Sequence, residues 1–246
     1  MLITRPETRP AMSSRKPEMN LDMDITDKSV TAYINSKYKP PCEKLVPFRN
    51  GGERDRIPII LKETESVLSM ILDLYHPHKI FEIGTAIGYS TAFFAYSCPD
   101  AEVVSVEKDE NTYRAAQMNI KNAGVEDRVR LYLGDGQEIA EQLKDEGEHD
   151  YDLVFIDAAK SHYRRFLDSV LDMLSDDALI ISDNILQHGY TASDKFDPKN
   201  KHRTNSVGMR SYIDYLTSDR HFTTTLMSVG DGLAVTRYRR NADEQA

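Results

Sequence analysis

Residues 79–90 read KIFEIGTAIGYS: a short apolar run that ends in two glycines, Gly84 and Gly88. An apolar run this short, closed by glycine, is a strand buried on both faces, and YSTAFFAYS (89–97) continues from it as a helix. Downstream the unit recurs. AEVVSVE (101–107) is a strand, and NTYRAAQMNIKNAG (111–124) is a helix closed by Gly124. RVRLYLG (128–134) and YDLVFID (151–157) are strands, each followed by a helix, the second of which runs to Leu174. ALIISD (178–183) is a fifth strand. Such β-α-β alternation with continuous apolar strands predicts an α/β fold, a parallel sheet covered on both sides. A long polar loop (184–205) and a helix around Gly208–Leu216 come next. FTTTLMSV and GLAVTRY then flank Gly230-Asp231-Gly232 and predict a closing hairpin.

Upstream of the first strand the periodicity is helical. Val30, Tyr33 and Ile34 share one face, a second stretch runs past Pro40-Pro41 to about Phe48, and Pro58 opens a third helix with Ile60, Val67, Leu68, Ile71 and Leu72 on one side. Residues 23–77 are therefore a helical cap on an α/β core at 78–240, together one domain. Residues 1–22 mix Pro, Arg, Ser and Met without apolar period and read as a disordered extension; 241–246 read as a tail. Arg5, Arg9 and Arg15 give the start a basic bias, but Glu7 and Glu18 interrupt it and no apolar h-region follows. The chain of 246 residues is 40% apolar, enough for a full core, with no run of the ~20 apolar residues that span a bilayer. Cys42 and Cys98 are far apart without CxxC partners, so the expectation is a reduced, cytoplasmic, zinc-free protein without membrane attachment. A net charge of −9 argues against a protein that coats nucleic acid, although it leaves room for a local basic surface.

Ligands of a doubly wound sheet bind beyond the carboxyl ends of its strands. The first strand ends Glu82-Ile83-Gly84, and Ser90 can donate from the start of the next helix. Glu107 closes the second strand, 23 residues after Gly84, where a carboxylate suits two ribose hydroxyls. Gly134-Asp135-Gly136 closes the third and can meet an adenine edge. A nicotinamide-binding oxidoreductase shares the glycine turn and the acid, but here the glycines are G-x-x-x-G with a glutamate two residues before the first, and no pyrophosphate loop is present. Strands four and five end in Asp157 and in Asp183-Asn184. Two carboxylates and a carboxamide are hard oxygen donors that suit Mg²⁺, or Mn²⁺ and Ca²⁺, over zinc. Lys160, one helical turn after Asp157, can reach the same cavity and take a proton from an acceptor hydroxyl.

The motifs EIGTAIGYS, VEKD, GDG, IDAAKSHYRRF and SDN, in this order, resemble the metal-dependent O-methyltransferases of the catechol and caffeoyl-CoA type. The resemblance spans about residues 24–240 and is strongest to bacterial tRNA 5-hydroxyuridine methyltransferases. It implies a Rossmann-like class I methyltransferase fold, a seven-stranded, mostly parallel sheet with an antiparallel last strand, and a homodimer. It further implies S-adenosylmethionine as methyl donor, contacted by Glu82, Ser90, Glu107, Asp135, Gly136, Asp157 and the backbone near Ile59. Metal then sits on Asp157, Asp183 and Asn184, with Lys160 catalytic. The sequence departs from the pattern at Gly136, where a small non-glycine residue is common, and at Ser161-His162, where relatives often carry glycine. The implied acceptor is 5-hydroxyuridine at the wobble position of a tRNA anticodon loop; a small catechol-type molecule with two vicinal oxygens is the alternative, and a non-catalytic RNA-binding module the remoter one. For tRNA, a phosphate-binding rim is expected from Lys195, Lys199, Lys201, Arg203 and Arg210, from Arg237, Arg239 and Arg240, and from Arg49, Arg54 and Arg56, provided that these converge on the metal.

Overall fold

The apolar runs pair into a single seven-stranded sheet. The computed structural model describes residues 27–242, so the extension expected at 1–22 lies outside them, as do residues 243–246 of the expected tail. The strands are β1 (Lys79–Ile83), β2 (Glu102–Glu107), β3 (Val129–Leu133), β4 (Tyr151–Ile156), β5 (Leu174–Asp183), β6 (Phe222–Met227) and β7 (Leu233–Arg239). Their spatial order is β3-β2-β1-β4-β5-β7-β6. The first five are parallel, and β7 runs antiparallel to both β5 and β6. The Rossmann-like fold and the closing hairpin are thus as expected. Because β1 has β2 on one side and β4 on the other, the chain leaves the middle of the sheet in both directions, and a crevice opens there at the carboxyl ends.

The helices are α1 (Lys28–Asn35), α2 (Leu45–Arg54), α3 (Lys62–Tyr75), α4 (Tyr89–Ser97), α5 (Glu110–Ala123), α6 (Gly136–Asp145), α7 (Tyr163–Val170) and α8 (Arg203–Ser218). Alternate strand residues face opposite layers. Phe81, Ile83, Val104, Val154 and Ile156 pack with side chains of α6, α7 and α8, whereas Ile80, Val103, Leu153 and Phe155 pack with those of α2 to α5. In α7, Tyr163, Phe166, Leu167 and Val170 are buried at the spacing of one helical face. Helix α4 is apolar nearly all round because it lies between the sheet and other helices. No described helix is long and apolar enough to cross a membrane.

Three boundaries differ from the sequence reading. Helix α2 runs on through Gly51 and Gly52 to Arg54, since Leu45, Arg49 and Gly52 form a buried face and a β-carbon at Gly52 would stand 3.2 Å from Ile59. Helix α3 starts at Lys62, not Pro58. Its first turn carries Glu63 and Glu65, which suit the positive end of a helix, and residues 58–61 are left extended. Helix α7 stops at Val170, and β5 begins at Leu174 across an irregularity opposite β4.

Candidate active site

The turn after β1 sets the geometry. Gly84 has φ +107°, and a β-carbon there would lie 2.0 Å from the carbonyl oxygen of Asp157. Only glycine lets the ends of β1 and β4 approach this closely. Two adjoining cavities open over this point. One of about 520 Å³ runs from residues 58–61, Tyr89 and Ser90 to Asp157, Lys160, Asp183 and Asn184. The other, about 240 Å³, lies among Glu107, Asp135, Gly136 and Phe166. Gly84, Ala86, Asp157 and Ala158 border both. Asp157 therefore stands between them.

Of the residues singled out in the sequence, Ile59, Gly84, Ser90, Asp157, Lys160, Asp183 and Asn184 line the larger cavity, and Glu107, Asp135 and Gly136 the smaller. Glu82 reaches neither. On β1 it points to the α4 side, fully buried, where Ser105 donates to its Oε2 at 2.6 Å and Thr91 donates to the same oxygen. Burial pushes its carboxyl up to about 7, against these hydrogen bonds. A strand-end motif cannot say which side of the sheet an acid faces, and Glu82 is not among the residues that line either cavity, while its Oε1 has no hydrogen-bond partner.

At the larger cavity three oxygens and one cation meet. The Lys160 ammonium donates to Asp157 Oδ1 at 2.8 Å, to Asn184 Oδ1 at 2.7 Å and to Tyr163 Oη at 2.9 Å. The Tyr163 hydroxyl in turn donates to the Asp183 carbonyl at 2.9 Å. Asp183 is almost sealed, and burial together with the nearby Asp157 carboxylate pushes its carboxyl up to about 8. Asp231 adds a third acid, its carboxyl raised by burial while it accepts the His188 amide at 2.5 Å. Asn184, Gln187 and His188 all have left-handed backbones, so the segment after β5 is held in a costly conformation beside the cavity. Among the described residues no three His, Cys, Asp or Glu side chains form a metal cluster. The set here is instead two carboxylates and a carboxamide. It fits a divalent cation on two observations: a positive group already bridges two of the three oxygens, and Asp157 stands close enough to disfavour ionisation of the nearly sealed Asp183.

The smaller cavity has a different chemistry. Glu107 accepts the Ala86 amide through Oε2 and the Asp109 amide through Oε1, both at 2.8 Å, and each oxygen keeps a lone pair for a ribose hydroxyl. Asp135 caps α6 and is paired with Arg165 at 2.7 Å and Lys108 at 3.1 Å. Its carboxylate is committed, although it borders the cavity. A β-carbon at Gly136 would come within 2.5 Å of Ile83 and 3.2 Å of Phe166, which explains the glycine at this position.

Sequence reading missed Asp231, taken only as part of a turn, and His188. Both face the cavity because β7 pairs with β5 and sets Leu233 opposite Asp183. The basic rim does not assemble as expected. Arg49 is buried. Arg237 and Arg239 pair with Leu179 and Asp177, about 13 and 20 Å along β5 from Asp183 at ~3.3 Å per residue. Arg237 and Arg240 form ion pairs with Asp177 and Asp176, and Arg54 with Asp55.

Fold and site together describe an α/β enzyme with two adjoining cavities beyond the carboxyl ends of its strands, one of them lined by carboxylates, a carboxamide and a lysine. The model of the O-methyltransferase family matches residues 50–239, so the chain belongs to that family. It is 30% identical over 174 residues to a caffeoyl-CoA O-methyltransferase of Populus kitakamiensis, across 69% of this chain and 74% of that one. It is 32% identical over 165 residues to a catechol O-methyltransferase of Niastella koreensis, across 66% of this chain and 75% of that one. A Podospora anserina methyltransferase crystallised with S-adenosylhomocysteine superposes with a TM-score of 0.75 at 26% identity, covering 86% of this chain and 94% of that one. The protein is an S-adenosylmethionine-dependent O-methyltransferase.

Proposed function

We propose that the enzyme methylates one of two vicinal oxygens on an aromatic acceptor, with a divalent cation, Mg²⁺ first, held by Asp157, Asp183 and Asn184. The observation that carries this reading is the Lys160 ammonium bridging Asp157 and Asn184 beside the buried Asp183. S-adenosylmethionine, when bound, supplies a methyl group on a sulfonium, and the cation, when bound, supplies Lewis acidity that favours a deprotonated hydroxyl. The protein's own residues do the rest. Glu107 offers both carboxylate oxygens to a ribose, Ser90 and the 58–61 segment wall the larger cavity, and Asp157 lies where the two cavities join. Lys160, its Nζ held by Asp157, Tyr163 and Asn184, is the group placed to receive the acceptor's hydroxyl proton.

A small catechol-type acceptor is favoured by the relatives, by the burial of Arg49 and by the placement of Arg237, Arg239 and Arg240 towards the far end of β5. One observation favours the second reading, 5-hydroxyuridine in a tRNA anticodon loop. Lys195, Lys199 and Lys201 are exposed between β5 and α8 and Arg203 at the start of α8, and the Tyr190 and His202 rings stack at 4.4 Å beside them. Incubation with labelled S-adenosylmethionine and Mg²⁺, with a catechol and hydroxyuridine-containing bulk tRNA offered side by side, decides between them. Label in the catechol alone supports the first reading, and label in tRNA alone the second. Asp183→Ala is expected to lower turnover ~10³-fold while S-adenosylhomocysteine still binds. Near-normal rates in the native enzyme after chelation would refute the metal's role.

A further inference from the structure

Arg49, expected on a phosphate-binding rim, is instead buried under the cap, its side chain 5% exposed. Its guanidinium reaches four structural units. Nη2 donates to the Ile60 carbonyl at 3.0 Å and to Glu65 Oε2 on α3. Nε donates to Tyr89 Oη, on the first residue of α4, at 2.9 Å, and Nη1 donates to Glu53 on α2 at 3.3 Å. Glu65 is fully buried and accepts from Tyr89 Oη at 2.7 Å and from Tyr38 Oη. The guanidinium also lies 4.6 Å from the centre of the Tyr89 ring. Of the groups tied here, Ile60 and Tyr89 belong to the wall of the larger cavity, Ile60 among residues 58–61 on one side and Tyr89 beside Ser90 on the other.

We propose that the Arg49–Glu65 pair is a positioning device for methyl-donor binding, which sets the spacing between the 58–61 wall and the start of α4. Neither side chain lines the cavity, so both act through Ile60 and Tyr89. An arginine is required because its planar fork serves a carbonyl, a carboxylate and a phenol at once, which a lysine ammonium on a flexible stem does not. At its other end α3 is tied to the core by the Tyr75 hydroxyl, near the Asp152 and Asp177 carbonyls, but near the cavity a cap joined through apolar contacts alone could slide by an ångström at little cost. Hydrogen bonds of fixed direction prevent that. The inference does not depend on which acceptor is methylated, since Ile60 and Tyr89 stand with Ile59 and Ser90, residues expected to contact the donor.

The test uses the full chain and S-adenosylhomocysteine binding by calorimetry, beside steady-state kinetics. Arg49→Lys keeps a charge opposite Glu65. The double variant Arg49→Met with Glu65→Leu removes the buried charges together, an exchange that commonly leaves a fold as stable as before. Both are expected to weaken S-adenosylhomocysteine binding at least ~10-fold and to raise KM for the donor in proportion. The loss in kcat at saturating donor is expected to be much smaller, with KM for the acceptor held. A purely structural role predicts the opposite split: less active protein, hence lower kcat, with donor affinity unchanged. A double variant that melts like the native enzyme and binds S-adenosylhomocysteine equally well overturns the proposal, as does full rescue of affinity by Arg49→Lys. A double variant that does not fold leaves Arg49→Lys to decide on the same affinity criterion.

Discussion

Four side chains and one glycine set the chemistry at the level of single residues. Lys160 is held by Asp157, Asn184 and Tyr163 at hydrogen-bond distance, a geometry that removes most of the freedom of a lysine stem. Lys160→Met is expected to lower kcat by ~10²- to 10⁴-fold, the usual worth of a positioned proton acceptor, with little change in S-adenosylhomocysteine binding. Single-turnover kinetics checks this, and a variant with native kcat would remove Lys160 from proton transfer. Gly84 acts through space it does not fill. Gly84→Ala forces a β-carbon onto the Asp157 carbonyl in a left-handed backbone, so a loss of ~3 kcal/mol or more in urea unfolding is expected.

Among the elements, the strands are pinned at the end opposite the site by Glu148. Its carboxylate accepts from Lys79 at the start of β1 at 2.6 Å and from Arg130 on β3 at 2.7 Å. The Arg130 hydrogen bond, aided by Lys79, holds its carboxyl down to about 2, below the ordinary 4.5. Because the folded value is the lower one, this stabilisation is complete above pH 4.5 and is lost as the pH falls towards 2. Allowing for solvent screening of the partners, about 1 kcal/mol is at stake. Melting temperatures measured from pH 7 to pH 3 should therefore fall more steeply for the native enzyme than for Glu148→Gln. Parallel curves would show that the pair contributes nothing. Glu148 borders neither cavity, and damage there should leave donor binding intact.

On the scale of the whole molecule, the resemblance implies a homodimer, and one surface suits it. Helix α1 exposes Val30, Tyr33 and Ile34, while α3 exposes Met70 and Leu74; no α1 residue is buried. An eight-residue helix with its apolar face in water is marginal alone, so contact with a second copy would stabilise it. Sedimentation of the full chain is expected to give about twice the 28.0 kDa of one chain, and Tyr33→Glu with Ile34→Lys to give the single-chain mass. A monomeric native enzyme at high micromolar concentration excludes the dimer.

Much of this protein was legible in its residue order. Strand ends that are apolar, short and glycine-closed announce a parallel sheet, and the acids at those ends mark the cleft, because backbone geometry alone carries strand termini to one edge. Asp157, Lys160, Asp183 and Asn184 were readable for that reason. What the sequence left open depends on contacts between distant segments. The direction in which Glu82 faces, the burial of Arg49 and the arrival of Asp231 and His188 at the cavity follow from α4 packing on β1, the cap closing over α4, and β7 pairing with β5. Arg49 looks the same in the sequence whether it binds solvent phosphate or a buried glutamate. Only the fold decides, since a charge may leave water only where a partner such as Glu65 already stands.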